Sequence, residues 1–216
     1  MKLSSAVRHL ATAAVLGGCS VRTHTIKGDG NITPENRSIA EFTSIKASGA
    51  LDIRWASGPP ALTITTDQNL LPEIHTEVSG KTLEISYNGS LEPTKGIKIT
   101  VASGTIDKAN ITGAVHLGVS KFTGDSLSVE ATGASAADID GSVGDLTANL
   151  TGASQLKASG LQAKTAKVTL VGASTGDVAV DEALTANLTG ACSLTYAGEV
   201  KSVKKNIAGA SSIRRR

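Results

Sequence analysis

The sequence predicts an all-β chain built around a single-stranded parallel β-helix with rungs of about 19–20 residues. Three observations predict it. Gly-Ala recurs at Gly113, Gly133, Gly152, Gly172, Gly190 and Gly209, at spacings of 20, 19, 20, 18 and 19 residues. A period of that length marks a solenoid. Before each glycine, positions −6, −4 and −2 are apolar, as in Leu127, Val129 and Ala131 or Leu146, Ala148 and Leu150. Positions −5, −3 and −1 are mostly polar, as in Thr147, Asn149 and Thr151. This is the period of a strand with one face in and one face out. After the glycine, +4 and +6 tend to be apolar, as in Leu117 and Val119 or Leu156 and Ala158, so a second short strand follows a tight corner. A helical repeat would need a 3.6-residue period, and the chain does not show one.

Each part of the corner has a physical reason. Equivalent corners of stacked rungs lie about 4.8 Å apart, which crowds out large side chains. Glycine supplies the dihedrals of the bend. The reading places Ala in the narrow corner and sets Thr132–Thr151 and Ser135–Ser154–Ser174 as outward stacks. Cys192 takes the Ser position of its rung as a small-residue substitute. Gly49, in "SIKASGALDIRW", is an earlier corner of the same kind. Right-handed coiling is expected by analogy with other β-helices.

Upstream of the rungs, "FTSIKASGALDIRW", "ALTITTD", "KTLEISYNG" and "GIKITVASG" alternate as strands, with Trp55 in phase with Ile53 and so packed rather than displayed. "LLPEIHTEV" can begin as a helical turn, which Pro72 keeps short. These strands are expected to cover one end of the solenoid, whose edges would otherwise stay unpaired. Composition agrees with this reading. Aromatics are 2% and there are 23 glycines, so Ala, Val, Leu and Ile must fill a tightly turned core.

The first residues, "MKLSSAVRHLATAAVLGGCS", read as a lipoprotein signal. Lys2 and Arg8 form a basic start, and the short apolar stretch "LATAAVL" (10–16) follows. Seven residues make about 10 Å of helix, too short to span a bilayer but enough for a signal core. Leu16-Gly17-Gly18-Cys19 resembles a lipobox, with Cys19 lipidated. The expected division is a signal at 1–18, a lipid-anchored tether at 19–30, N-terminal strands at 31–104, rungs at 105–213 and a basic tail at 214–216. The expected membrane contact is the N-terminal lipid. Ser20 after the cysteine implies the outer membrane, facing either outward or into the periplasm.

Removing 1–18 takes two of the 21 basic residues and no acids, leaving 19 against 19 acidic. A neutral chain carries no broad footprint for nucleic acid, and no nucleic-acid partner is expected. With Cys19 lipidated, Cys192 has no disulfide partner. His24, His75 and His116 lack ligand spacing, so neither a metal site nor a cofactor is expected.

Two segments together carry a family resemblance. Phe42-x-x-Ile45-x-x-Ser48-Gly49-Ala50-x-Asp52-Ile53 is followed by Asp67-x-Asn69-Leu70-Leu71-Pro72-x-Ile74, and then by the Gly-Ala-Ser rungs. This order resembles the bacterial "putative auto-transporter adhesin, head GIN domain" family, over roughly residues 30–213. The resemblance implies an all-β, β-helix-like envelope protein and brings no catalytic residues.

Some β-helices are polysaccharide lyases or hydrolases, which need clustered exposed carboxylates. Asp138, Asp140, Asp145, Asp177 and Asp181 are the ones to consider. Asp138 and Asp177 both lie at +5 from their glycines, and Lys157 holds that place in the rung between. They are the candidate ligand-surface residues, read first as a neutralised outward ladder. No catalytic residue is assigned. The expected function is a non-catalytic interaction or adhesin-like lipoprotein, its protein or glycan partner open. The alternatives are a periplasmic structural or signalling accessory and, less favoured, a carbohydrate-active enzyme.

Overall fold

The computed structural model describes residues 25–216, so Cys19 and the expected signal lie outside the described residues. Short strands come first: β1 (Thr25–Lys27), β2 (Ile32–Arg37), β3 (Ser44–Gly49), β4 (Asp52–Ser57) and β5 (Ala61–Asp67). A 3-10 turn at Gln68–Glu73 contains Pro72, as the sequence suggests, and leads into β6 (Ile74–Ser79). Then come β7 (Thr82–Tyr87), β8 (Ser90–Glu92), β9 (Lys98–Ser103) and β10 (Lys108–Gly113). Four long strands form the body: β11 (His116–Gly133), β12 (Ala136–Gly152), β13 (Gln155–Gly172) and β14 (Thr175–Gly190). β15 (Ser193–Ala197), β16 (Ser202–Gly209) and β17 (Ser212–Arg215) follow.

The strands stack in parallel into a β-solenoid of about 5 turns. One face runs β7–β3–β10 and continues through the glycine-proximal halves of β11 to β14 to β16. A second face, just past the glycine corner, runs β9–β4, then the first residues of β11 to β14, then β15 and β17. A third, shorter ladder pairs Phe122, Thr123 and Gly124 with Gly141, Ser142 and Val143, and these in turn with Leu161, Gln162 and Ala163. Register shifts lie between the second and third faces, at Val119/Phe122, Asp138/Asp140 and Ala158/Gln162. Much of the variation in repeat length is taken up at that corner.

The interior is filled by stacked apolar side chains. Ala109, Val129, Ala148, Val168 and Ala186 form one buried column, alternating small with large. Leu117, Ala137, Leu156, Gly176 and Leu194 alternate likewise, and a Cβ on Gly176 would stand 2.9 Å from Leu194. Alternation keeps total volume constant where neighbouring residues are one strand spacing apart. Trp55 is buried against Phe122, with ring centroids 6.1 Å apart, and its indole N–H donates to Ser103 Oγ at 2.9 Å.

Gly49, Gly113, Gly133, Gly152, Gly172, Gly190 and Gly209 stand one above another in register, all with positive φ. A Cβ on Gly133 or Gly152 would meet the preceding glycine's carbonyl oxygen at 2.7 or 2.6 Å. Glycine is therefore required twice, by dihedral and by space. The roles expected for Ala and Ser at the corner are exchanged. Ala134, Ala153 and Ala173 are exposed, and their N–H groups donate to the glycine carbonyl of the preceding rung. Ser135, Ser154 and Ser174 are buried, not outward. Ser135 Oγ lies 3.2 Å from Gly113 O and 3.1 Å from Thr132 O, and the other two repeat the geometry. The corner leaves carbonyl oxygens at its inner side, and a small hydroxyl satisfies them. Cys192 is buried at the same position, its Sγ 3.5 Å from Gly172 O.

One end of the solenoid is covered by antiparallel strands: β6 on β7, β5 on β9, and β2 on β5. The fold starts earlier than the tether boundary at residue 30. β1 pairs with β8, and Gly30 N–H donates to the buried Asp67 carboxylate. Arg214 and Arg215 belong to β17 rather than to a tail.

Candidate functional site

The second face carries the chemistry. Its outward column one step past the corner reads Arg54, Gly118, Asp138, Lys157, Asp177, Thr195 and Arg214, all in register. The corner adds no bulge between the glycine and +5, so the three charged positions named from sequence fall into one line. Lys157 Nζ is 3.7 Å from Asp138 Oδ1. Asp177 pairs with Arg216 at 3.1 Å. The structure does not bring Asp145 or Asp181 to this face. Asp145 accepts from Thr165 Oγ1 and Asp181 from Gln162 Nε2, away from the column.

His116 is the residue that sequence reasoning passed over. It sits in the neighbouring column, in register with Asp52 of β4. Its Nδ1 is 3.1 Å from Asp52 Oδ1 and its Nε2 is 3.0 Å from Asp138 Oδ2. The bond to Asp138 does most to raise the imidazole pKa; partial burial opposes it, and Asp52 adds to the rise. With both nitrogens facing carboxylates, the doubly protonated ring is the form that satisfies both contacts. The two carboxylates approach opposite sides of the ring, so the three groups do not converge on a point where a cation could sit. Among the described residues no group of three or more His, Cys, Asp or Glu side chains could hold a metal ion. One sequence signal existed: His116 lies at +3 from Gly113, two residues from the +5 column, with Asp52 at +3 from Gly49.

Gly118 interrupts the charged column. Where its neighbours carry Arg54 and Asp138, it has no side chain, and a groove of about 350 Å³ opens there. His116, Asp138, Asp140 and Lys157 line it together with Arg54. Arg54 Nη2 is 3.8 Å from Asp52, and its guanidinium makes no hydrogen bond among the described residues. Asp140 accepts the Lys121 N–H, and Lys121 has a positive φ of 54° at the bulged corner. Asp138 Oδ1 and Asp177 Oδ1 are buried atoms that accept no hydrogen bond among the described residues.

Comparison with known proteins gives a family and a fold. A model of the family "Putative auto-transporter adhesin, head GIN domain" matches residues 41–200. No curated protein matches the sequence significantly. Among solved structures, a putative adhesin from Bacteroides fragilis is 19% identical, with a TM-score of 0.75 over 88% of this chain and 100% of that one. A putative lipid binding protein from Parabacteroides distasonis is 22% identical, with a TM-score of 0.55 over 89% and 100%. A putative adhesin from Parabacteroides merdae is 16% identical, with a TM-score of 0.56 over 89% and 99%. At these identities the likeness to the solved structures is one of fold.

Proposed function

This chain belongs to the family "Putative auto-transporter adhesin, head GIN domain", and on that premise we propose that it is a non-catalytic, lipid-anchored envelope protein that binds a partner through an outer face of its solenoid. The observation that carries this reading is the second face itself. Stacking in register turns single side chains into a fixed column of alternating charge, Asp138–Lys157–Asp177, extended by His116 and Arg54. Columns held at strand spacing form a rigid array, and rigidity lowers the entropic cost of recognition. The interior is filled by buried side chains, which leaves binding to the exterior.

The same face argues for binding over turnover. A general base needs a free lone pair within reach of the proton it takes. His116 has both nitrogens committed to carboxylates and Asp138 is committed to His116 and Lys157, which leaves Asp140 without the second free carboxyl group that glycoside hydrolysis needs. The family is described as a putative adhesin, and the solved relatives as putative adhesins or a putative lipid binding protein.

The anchor rests on Leu16-Gly17-Gly18-Cys19, and the outer membrane on Ser20. The test is protease accessibility on whole cells, with permeabilised cells and Cys19→Ala as controls. Digestion on whole cells supports an outward, adhesin-like placement. Protection until permeabilisation overturns it in favour of a periplasmic accessory role. Release of soluble protein by Cys19→Ala supports the anchor, and continued membrane association overturns it.

A further inference from the structure

We propose that the groove over Gly118 is a binding site for one acidic sugar residue, its carboxylate held by Arg54 and its hydroxyls by Asp140. The inference deepens the binding role proposed above and rests on it. Its volume, about 350 Å³, falls in the range of about 300–1,000 Å³ typical of small-ligand sites.

The charge pattern selects the ligand. Along the column, Lys157 stands between two carboxylates, Asp138 and Asp177. Arg54 has no such arrangement: the position beside it, toward the body of the solenoid, is Gly118. Its nearest carboxylate, Asp52, is 3.8 Å away and gives its other oxygen to His116. A guanidinium offers five donors in a planar fork that fits a carboxylate bidentately, and 72% of this side chain is exposed. A ligand carboxylate over Gly118 completes the alternation.

The far side of the groove asks for neutral donors. Asp138 is already neutralised by His116 and Lys157, so a second ammonium there would face two cations. Its Oδ1 is buried and its Oδ2 meets His116, so Asp138 offers a ligand no acceptor, whereas the exposed Asp140 accepts only from the Lys121 N–H. An exposed carboxylate with spare acceptor sites suits hydroxyl donors, and Lys157 and His116 in the same lining disfavour an ammonium. One carboxylate and several hydroxyls on a compact ring describe a uronic acid.

Gly118 also supplies the decisive variant. It has ordinary strand dihedrals, and an added Cβ would stand 3.9 Å from both Arg54 Cγ and Ile53 O, which is ordinary contact. Gly118→Val therefore fills the groove while suiting the strand. The experiment is a titration with sodium glucuronate, followed by amide chemical shifts of the groove residues. Glucose and acetate serve as competing probes. Saturable shifts centred on Gly118, Ile139 and Gly160 with glucuronate alone are expected. Gly118→Val should abolish them with thermal stability kept or raised, and Arg54→Gln should weaken binding by about 10-fold or more. No saturable shift, equal binding of glucose or acetate, or binding that survives Gly118→Val overturns the site. A glucuronate-containing disaccharide, recovered after incubation, separates the two readings. Cleavage would overturn the non-catalytic function while supporting the groove; absence of binding would overturn the groove and leave the function standing.

Discussion

The phenol oxygen of Tyr87 accepts the backbone N–H of Ala50 at 2.8 Å. In later rungs the same N–H goes to a glycine carbonyl: Ala114 to Gly49, Ala134 to Gly113 and Ala153 to Gly133, each at 2.8 Å. Tyr87 thus ends the glycine column. Its ring lies where the next glycine would stand, in contact with the place a Cβ on Gly49 would take. Tyr87→Phe keeps the ring and removes the acceptor. It should cost about 0.5–1.5 kcal/mol in urea denaturation with an unchanged m-value. Tyr87→Ala should cost more, because the ring packs against the core. A Phe variant as stable as the parent would show that water replaces the phenol.

The glycine column predicts a gradient of tolerance. At Gly152, φ is 96° and an added Cβ would stand 2.6 Å from the backbone oxygen of Gly133. Backbone in a paired strand cannot move aside. Dihedral strain and overpacking each cost about 1–3 kcal/mol, so Gly152→Ala should lose more than about 3 kcal/mol. At Gly49 the obstacle is a side chain, Tyr87, which can rotate. Gly49→Ala should cost less, and chemical denaturation of the two variants side by side tests the order.

The legible parts of this molecule are those fixed by short offsets from the glycines. Val129, Ala148 and Val168 lie at −4, and Asp138, Lys157 and Asp177 at +5, with no bulge between them and the corner. Beyond +6 the register slips from rung to rung: Gly124, Val143, Ala163 and Val180 share one column at offsets of +11, +10, +11 and +8, so the third face does not show as a pattern. The inward serines were readable by parity, since −2 and +2 point the same way, but their polarity argued outward. Only the carbonyls at the inner corner decide it. His116 and Tyr87 depend on partners 64 and 37 residues away, Asp52 and Ala50, and distance in sequence hides such pairs.

The serine column predicts how Cys192 behaves. Its Sγ lies 3.5 Å from Gly172 O and 3.4 Å from Thr189 O, where Ser174 places Oγ at 3.2 and 3.1 Å from the matching atoms. Cys192→Ser should be within about 1 kcal/mol of the parent, because the hydroxyl meets the same two carbonyls. At 2% exposure the native thiol should resist an aromatic disulfide reagent and react fully in denaturant. Fast labelling of the native protein would contradict the packed corner.

The clamp at His116 predicts a pH dependence of definite sign. Its pKa is raised in the fold, chiefly by the hydrogen bond to Asp138. The charged clamp therefore contributes fully below the unfolded value of about 6.5, and the contribution fades as pH rises through the folded value. The ring is 41% exposed, so the effect is modest and weakens with salt. Melting temperatures of the parent and of His116→Gln should differ most near pH 5.5 and converge toward pH 9. A difference that does not change with pH would mean that the ring acts by packing alone.

Asp67 predicts the opposite sign at the other end of the molecule. Its side chain is buried, and burial pushes its pKa up, but hydrogen bonds from three other donors and from its own N–H outweigh that and hold it below the ordinary carboxylate value. The donors are the Thr94 N–H at 2.9 Å, the Thr94 hydroxyl at 2.8 Å and the Gly30 N–H at 2.8 Å. Gly28 lies against the same carboxylate so closely that a Cβ there would collide with it. One side chain thus ties the first residues of the fold and the loop after β8 to the end of β5. A depressed pKa stabilises the fold above the unfolded value of about 3.9, and this is lost as pH falls through the folded value. Asp67→Asn keeps the shape but turns one acceptor oxygen into a donor, facing N–H groups that are donors themselves. It should speed amide exchange at Gly30 and Thr94 at neutral pH, leave the core rungs β12 and β13 protected, and flatten the loss of stability between pH 5 and 3. Uniform acceleration across β12 and β13 would show instead that this cap and the solenoid open as one unit.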